Sequence, residues 1–163
     1  MPAAIGQELV ALLPRLRRFA LVLCRSQPLA DDLVQGACER ALANAGSWTP
    51  GTRFDAWMFR ILRNHWIDHL RRMRAEGMTE DVATQTHLIG DPGEGPILNR
   101  LVLSEVQRAI ETLPHEQREV LLLVCGEDLS YREAAEILEV PVGTVMSRLA
   151  RARKRLVELT AAA

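Results

Sequence analysis

The stretch that decides the fold is Leu129-Ser130-Tyr131-Arg132-Glu133-Ala134-Ala135-Glu136-Ile137-Leu138-Glu139-Val140-Pro141-Val142-Gly143-Thr144-Val145-Met146-Ser147-Arg148-Leu149-Ala150-Arg151-Ala152-Arg153-Lys154-Arg155. Ser130 and Glu133 have the spacing of a capping box, in which each side chain satisfies an orphan N–H at a helix start. Ala134, Ala135, Ile137 and Leu138 supply a small, apolar inner face. Glu139-Val140-Pro141 is a short break, and proline suits the first turn of a new helix. At about 100° per residue, Val142, Val145, Met146, Leu149, Ala152 and Leu156 fall on one side of that helix. Thr144, Ser147, Arg148, Arg151, Lys154 and Arg155 fall on the other. The pattern is a helix-turn-helix with a basic second helix, and its hydroxyls and guanidinium forks suit a major groove. Arg153 projects near the apolar side, where its stem can snorkel.

Working outward, the rest of the chain also reads as helix. Strand-like alternation is absent, so the expected class is all-α. A first helix is expected over residues 7–23, with Leu9, Leu12, Leu13, Leu16, Phe19, Ala20 and Leu23 on its buried face and a kink or restart at Pro14. A second is expected over 28–45, closing at Gly46 as its C′ residue. A third is expected over 54–74. Further helices are expected over 97–113, 114–125, 130–138 and 141–159. Residues 76–97 are rich in Gly and Pro and break the periodicity, which marks a flexible linker. The expected organisation is therefore two small helical domains, 1–75 and 98–163, joined by the linker 76–97.

Charge is distributed unevenly although the 163-residue chain carries a formal charge of only −1. Residues 1–75 sum to +5, residues 76–97 to −5, residues 98–139 to −5 and residues 140–163 to +4. Basic charge is thus gathered in two separated places, the footprint of a nucleic-acid binder with two contact surfaces. On the third helix Arg53, Arg60, Arg63, Asn64, Arg71 and Arg74 project as one stripe. Phe54, Trp57, Met58, Ile61, Leu62 and Trp66 project opposite. Trp48, in the preceding loop, could stack on an unpaired base or simply pack.

Other classes find little support. Cys24, Cys38 and Cys125 are widely spaced and form no CxxC, as in a reducing compartment. No apolar run is long enough for a membrane span, and Arg15, Arg17 and Arg18 interrupt the stretch a signal peptide would need. The expected location is the cytoplasm, without membrane insertion. His65 and His69 have chelating i, i+4 spacing but no third ligand nearby, so no metal and no cofactor are expected. There is no phosphate loop and no nucleophile–base pair, so no enzyme is expected. Asp31 and Asp32 sit early in the second helix, where acids favour the dipole or form a partner-facing patch.

At this point the chain resembles a bacterial RNA polymerase sigma factor of the extracytoplasmic-function (ECF) type. The matching stretches are Ala30-Asp31-Asp32-Leu33-Val34-Gln35, Phe54-Asp55-Ala56-Trp57-Met58-Phe59-Arg60-Ile61-Leu62-Arg63-Asn64, Ile67-Asp68-His69-Leu70-Arg71-Arg72, and Leu113-Pro114 with Gln117-Arg118-Glu119-Val120 ahead of the helix-turn-helix. Their order and gaps match as well. The resemblance implies that region two, the first domain, binds core polymerase through Asp31, Asp32, Leu33 and Gln35. It also implies capture of the opened minus-ten strand by Ser47, Trp48, Arg53, Arg60, Arg63, Asn64 and Arg71. Region four would read the duplex minus-thirty-five element through Thr144, Ser147, Arg148, Arg151, Lys154 and Arg155. The implied partners are RNA polymerase core, promoter DNA and an anti-sigma factor. The implied function is promoter-specific transcription initiation; a stand-alone helix-turn-helix regulator is the alternative. Residues 13–20 and the loop 47–53 are further similar to the alphaproteobacterial general-stress-response branch. Met146 stands where a basic residue is common in the family, which removes a phosphate contact. His65 and Trp66 replace smaller residues.

Overall fold

The computed structural model describes residues 2–77 and 105–161, and no strand occurs among them. The expected linker therefore lies, beyond Gly77, outside the described residues. The chain divides into two compact units, an N-terminal and a C-terminal one.

The N-terminal unit contains α1 (Pro2–Cys24), α2 (Gln27–Ala43) and α3 (Phe54–Ala75). Each helix packs against the other two. The helix period dictates which side chains turn inward: Ile5, Leu9, Leu12, Leu16, Phe19, Ala20 and Leu23 from α1, Ala30, Leu33, Val34, Ala37 and Ala41 from α2, and Met58, Phe59, Leu62 and Trp66 from α3. Phe19 and Phe59 meet edge to face, with ring centroids 5.4 Å apart. Burying each such large side chain contributes about 1.5–3 kcal/mol.

Three expectations change here. α1 runs unbroken through Pro14. Proline deprives the Val10 carbonyl of its usual donor, but Val10 is exposed and water can serve it. Leu13 lies outside the core, exposed beside Pro14 on the outer face. α2 stops before Gly46, because Asn44 caps it first: the backbone N–H and Nδ2 of Asn44 donate to the Arg40 carbonyl at 3.0 and 2.9 Å. Gly46 then sits in a 3-10 turn, Ala45–Ser47. In the loop before α3, Gly51 sits at φ +93°, which favours glycine.

In the C-terminal unit residues 105–111 form α4, followed by α5 (His115–Leu121), α6 (Tyr131–Leu138) and α7 (Val142–Ala161). Buried Arg118 ties the first two together. Its guanidinium donates to the carbonyls of Glu111 at 3.2 Å and Leu113 at 3.1 Å, oxygens left open where α4 ends. The expected helix through Cys125 is not regular throughout. It widens into a π turn over Leu122–Gly126, closed by Glu127 N–H to Leu122 C=O at 2.8 Å.

The capping box at Ser130 forms in both directions. Glu133 N–H donates to Ser130 Oγ at 3.1 Å, and Ser130 N–H to Glu133 Oε1 at 2.9 Å. α6 ends on Glu139 at φ 56°, with Val140 N–H reaching back to the Ala135 carbonyl at 3.1 Å. Pro141 directly precedes α7, and its carbonyl accepts from Thr144 and Val145 N–H.

Candidate nucleic-acid and polymerase interfaces

The α7 helix is anchored by Val145, Leu149 and Ala152, all fully buried. Ser147, Arg151, Lys154 and Arg155 are exposed, and Thr144 is half-buried. Arg148 is also half-buried, its Nε 3.8 Å from Glu116 Oε2. Such a partly exposed pair is worth at most about 1 kcal/mol, so a phosphate can replace Glu116 at little cost. Arg155 lies 3.8 Å from Glu158. An open groove of about 450 Å³ lies between this basic face and the turn before α5, lined by Thr112, Pro114 and Gln117 on one side and Arg151, Lys154 and Arg155 on the other.

Two residues expected on the inner side of α7 are outside. Met146 is 52% and Val142 39% exposed. Both lie in the first turns of α7, at the edge of the apolar sector, where the burial that covers Val145 does not reach them. Arg153 is exposed, with its guanidinium 3.8 Å from Cys125 Sγ.

On α3, Arg60 and Arg71 are exposed, while Arg63 and Asn64 are half-buried. Arg53 behaves differently from the rest of the stripe. Its Nε and terminal nitrogen reach the two oxygens of Asp55 at 3.1 and 2.8 Å. Asp55 also takes Arg15 of α1 at 2.8 Å and the N–H of Ala56. Burial raises the Asp55 pKa, but hydrogen bonds from Arg53, Arg15 and Ala56 outweigh it and hold the carboxyl below its usual range. Arg15 completes the junction by lying over the Phe59 ring, 5.5 Å from its centroid. Arg53 is thereby committed to fixing the start of α3.

Trp48 is likewise engaged from within. Its ring stands edge-on to Phe54 at 5.3 Å, and Phe54 meets Trp57 at 5.7 Å. Trp48 is half-buried and its buried indole nitrogen has no hydrogen-bond partner, so part of this tryptophan props the loop. Beside the loop a cavity of about 230 Å³ is lined by Arg40, Asn44, Ser47, Trp57, Ile61 and Asn64. Ser47 and Asn64 are expected site residues, whereas the phase of α2 gives no reason to bring Arg40 and Asn44 here. Only the knowledge that α2 ends at the loop could have found them.

On α2, Asp31, Asp32 and Gln35 are exposed. Asp31 pairs with Arg17 of α1 at 3.0 Å, and Gln35 reaches Glu39 at 3.5 Å. Leu33 corrects an expectation: it is a core residue, 2% exposed, because the period that puts Asp31, Asp32 and Gln35 outside puts Leu33 inside. Arg40 and Asp68 bridge α2 to α3 at 2.9 Å. His65 packs its ring against Gly36, and His69 stacks on Trp66. Among the described residues no cluster of three His, Cys, Asp or Glu side chains could hold a metal ion. No helix among them is long and apolar enough to cross a membrane.

A three-helix unit with a basic third helix, followed by a capped helix-turn-helix whose second helix has an exposed basic face, is the architecture of a DNA-binding protein. Residues 9–76 match the sigma-70 region 2 family, and residues 103–156 match the sigma-70, region 4 family. The chain is 39% identical to the ECF RNA polymerase sigma factor EcfG of Rhodopseudomonas palustris, over 94% of this chain and 83% of that one. It is similar in structure to the sigma factor RpoE from Bartonella quintana, solved in complex with the anti-sigma factor NepR. There the TM-score is 0.78 and the identity 35%, with 95% of each chain covered. It is also similar to CnrH, solved with the cytosolic domain of CnrY, at a TM-score of 0.69 and 26% identity over 99% of this chain and 90% of that one. The chain belongs to the ECF RNA polymerase sigma factors. It is a transcription-initiation subunit that directs core polymerase to promoters, not an enzyme.

Proposed function

We propose that α7 reads the duplex upstream promoter element, that α3 and the loop before it hold the opened strand of the downstream element, and that the outer face of α2 binds core polymerase. The observation that carries this reading is the pair of exposed basic helix faces, one in each unit. For α7 the working residues are Thr144, Ser147, Arg148, Arg151, Lys154 and Arg155. For α3 they are Arg60, Arg63, Asn64 and Arg71, with Ser47 at the neighbouring cavity. The cavity's amides, hydroxyl and guanidinium beside an indole suit the edge of an unpaired base. Arg53 and Trp48 serve by shaping the loop. Asp31, Asp32 and Gln35 supply the polymerase-facing surface.

The protein works in the cytoplasm, where polymerase is. Region two spans residues 1–75 and region four residues 98–163, with 76–97 as an acidic tether that lets two modest contacts reinforce each other. Likeness to EcfG and to a sigma factor solved with NepR supports a place in the general-stress-response branch and control by an anti-sigma factor.

The test is run-off transcription with purified polymerase core. Arg151→Ala should lower initiation from a promoter that needs its upstream element by about 10- to 100-fold, with core binding unchanged. Reversing Asp31 and Asp32 to Lys should weaken core binding while the variant stays folded. Tight, sequence-specific DNA binding without polymerase would instead make the chain a stand-alone regulator.

A further inference from the structure

Asp55 stands in the first turn of α3, at the end of the loop and the start of the basic stripe, where a carboxylate opposes a polyanion. The helix dipole alone would justify an acid there, but it would call for no arginine. Here the side chain is only 15% exposed and two guanidiniums close on it. Arg53 donates from Nε to Oδ1 at 3.1 Å and from a terminal nitrogen to Oδ2 at 2.8 Å. Arg15 of α1 donates to the same Oδ2 at 2.8 Å while lying over Phe59. The two ends of the loop are thus pinned to neighbouring residues of α3. Trp48 at one end stands against Phe54, and Arg53 at the other holds Asp55. Between them the backbone turns tightly, with the Thr52 N–H and hydroxyl both donating to the Thr49 carbonyl, at 3.2 and 2.6 Å. Ser47, next to Trp48, lines the 230 Å³ cavity together with Trp57 and Asn64 of α3. One carboxylate therefore fixes two walls of that cavity: the loop through Arg53, and the start of α3, set against α1, through Arg15.

We propose that Asp55 is a positioning residue for strand capture: by holding Arg53 and Arg15 together it sets the loop 47–53 beside the cavity, and so strengthens binding of an opened strand that its charge alone would repel. This rests on the reading that α3 and its loop hold the opened strand. It assigns an acid to a site otherwise made of cations, amides and a hydroxyl.

Binding would be titrated with core polymerase carrying this chain, on a promoter selected by that holoenzyme from a randomised library. One template is duplex throughout. Its twin is mismatched across the downstream element, so that the strand is already open. Asp55→Asn should bind the open template about tenfold less tightly, the worth of one charge-assisted hydrogen bond lost from a displaced loop, and the duplex as before. Its preference for the selected bases of the opened strand over substituted ones should shrink by a similar factor. A ratio between bases does not depend on how much of the protein is folded, so lost stability alone leaves it unmoved. Arg15→Lys keeps the charge but not the planar fork. It should show the same defect, and it carries the test if Asp55→Asn fails to fold. Open-template binding that stays level or tightens, as loss of an acid beside DNA would predict on charge alone, overturns the proposal. Equal losses on duplex and open templates with the base preference intact overturn it as well, while leaving α3 as the strand-holding helix. If the parent holoenzyme shows no preference among opened-strand bases, the reading of α3 and its loop falls, and the proposal with it.

Discussion

Gly36→Ala should destabilise the N-terminal unit, although the same change in an open helix would stabilise it. Gly36 lies inside α2, where alanine is favoured over glycine by about 1 kcal/mol. At this position a Cβ would fall well inside contact distance of His65 Nε2, and 2.9 Å from both Cδ2 and Cε1 of the same ring. The imidazole must move by roughly the difference from ordinary contact, and such overpacking costs about 1–3 kcal/mol. Three ring atoms inside 3 Å put the cost in the upper half of that range, so the net loss should be about 1–2 kcal/mol. All three tryptophans, Trp48, Trp57 and Trp66, belong to this unit, and Tyr131, the only tyrosine, does not. Tryptophan fluorescence during urea unfolding of the full chain therefore reports on the N-terminal unit alone. The decisive measurement is a double-mutant cycle. In a His65→Ala background the ring is gone, and Gly36→Ala should become stabilising by about 1 kcal/mol. If Gly36→Ala raises stability with His65 in place, close packing of α2 on α3 is not what glycine provides there, and the reasoning fails.

Burial, followed by the charges of Arg40 and Arg72, lowers the His65 pKa from its ordinary 6.5. The folded unit then resists a proton that the unfolded chain accepts, so stability is full above about pH 6.5 and is lost as pH falls through the lower folded value; His65→Ala should flatten that slope in the fluorescence assay. Asp55 contributes at a more acid range. Its lowered pKa means that stability is present above the ordinary value of 3.8 and is lost as pH falls through the folded value. Asp55→Asn should cost about 1–2 kcal/mol near neutrality and remove that acid dependence. In the C-terminal unit Arg118→Ala strands two carbonyls and should cost about 3 kcal/mol, seen as faster amide hydrogen exchange in α5.

Periodicity made most of the helices legible, because a packed helix must repeat its apolar residues near 3.6. The capping box was legible for a stronger reason: it needs only two side chains three residues apart, and both form their bonds. What escaped the sequence was coverage. Phase assigns a direction from the helix axis, but Leu13, Val142 and Met146 point along directions that nothing buries. Long-range pairing escaped as well. Arg53 looked like one more cation in a stripe, yet it and Arg15, 40 residues before Asp55 in the chain, share that one carboxylate. The same blindness applied to Leu33. A motif match names a stretch, and only the packing of α2 shows which of its residues look outward.

The two basic surfaces differ in what the fold already asks of them. In the N-terminal unit Arg15, Arg17, Arg40 and Arg53 each bond a carboxylate of the same unit. They hold α1, α2 and the start of α3 in register, and drawing one onto DNA would loosen a helix contact. On α7, Arg148 pairs with Glu116 of α5 at 3.8 Å, but Arg151, Lys154 and Arg155 bear no such duty, since they stand outside the core and their helix is anchored by Val145, Leu149 and Ala152. Substitutions on α7 can therefore change DNA affinity without changing the fold. On the proposed reading of α7, this suits a surface that varies with promoter sequence. Around α3 a substitution at Arg53 or Arg15 reaches the Asp55 junction first. On the proposed role of α3, that suits a surface whose shape must be kept while it receives a strand polymerase has already helped to open.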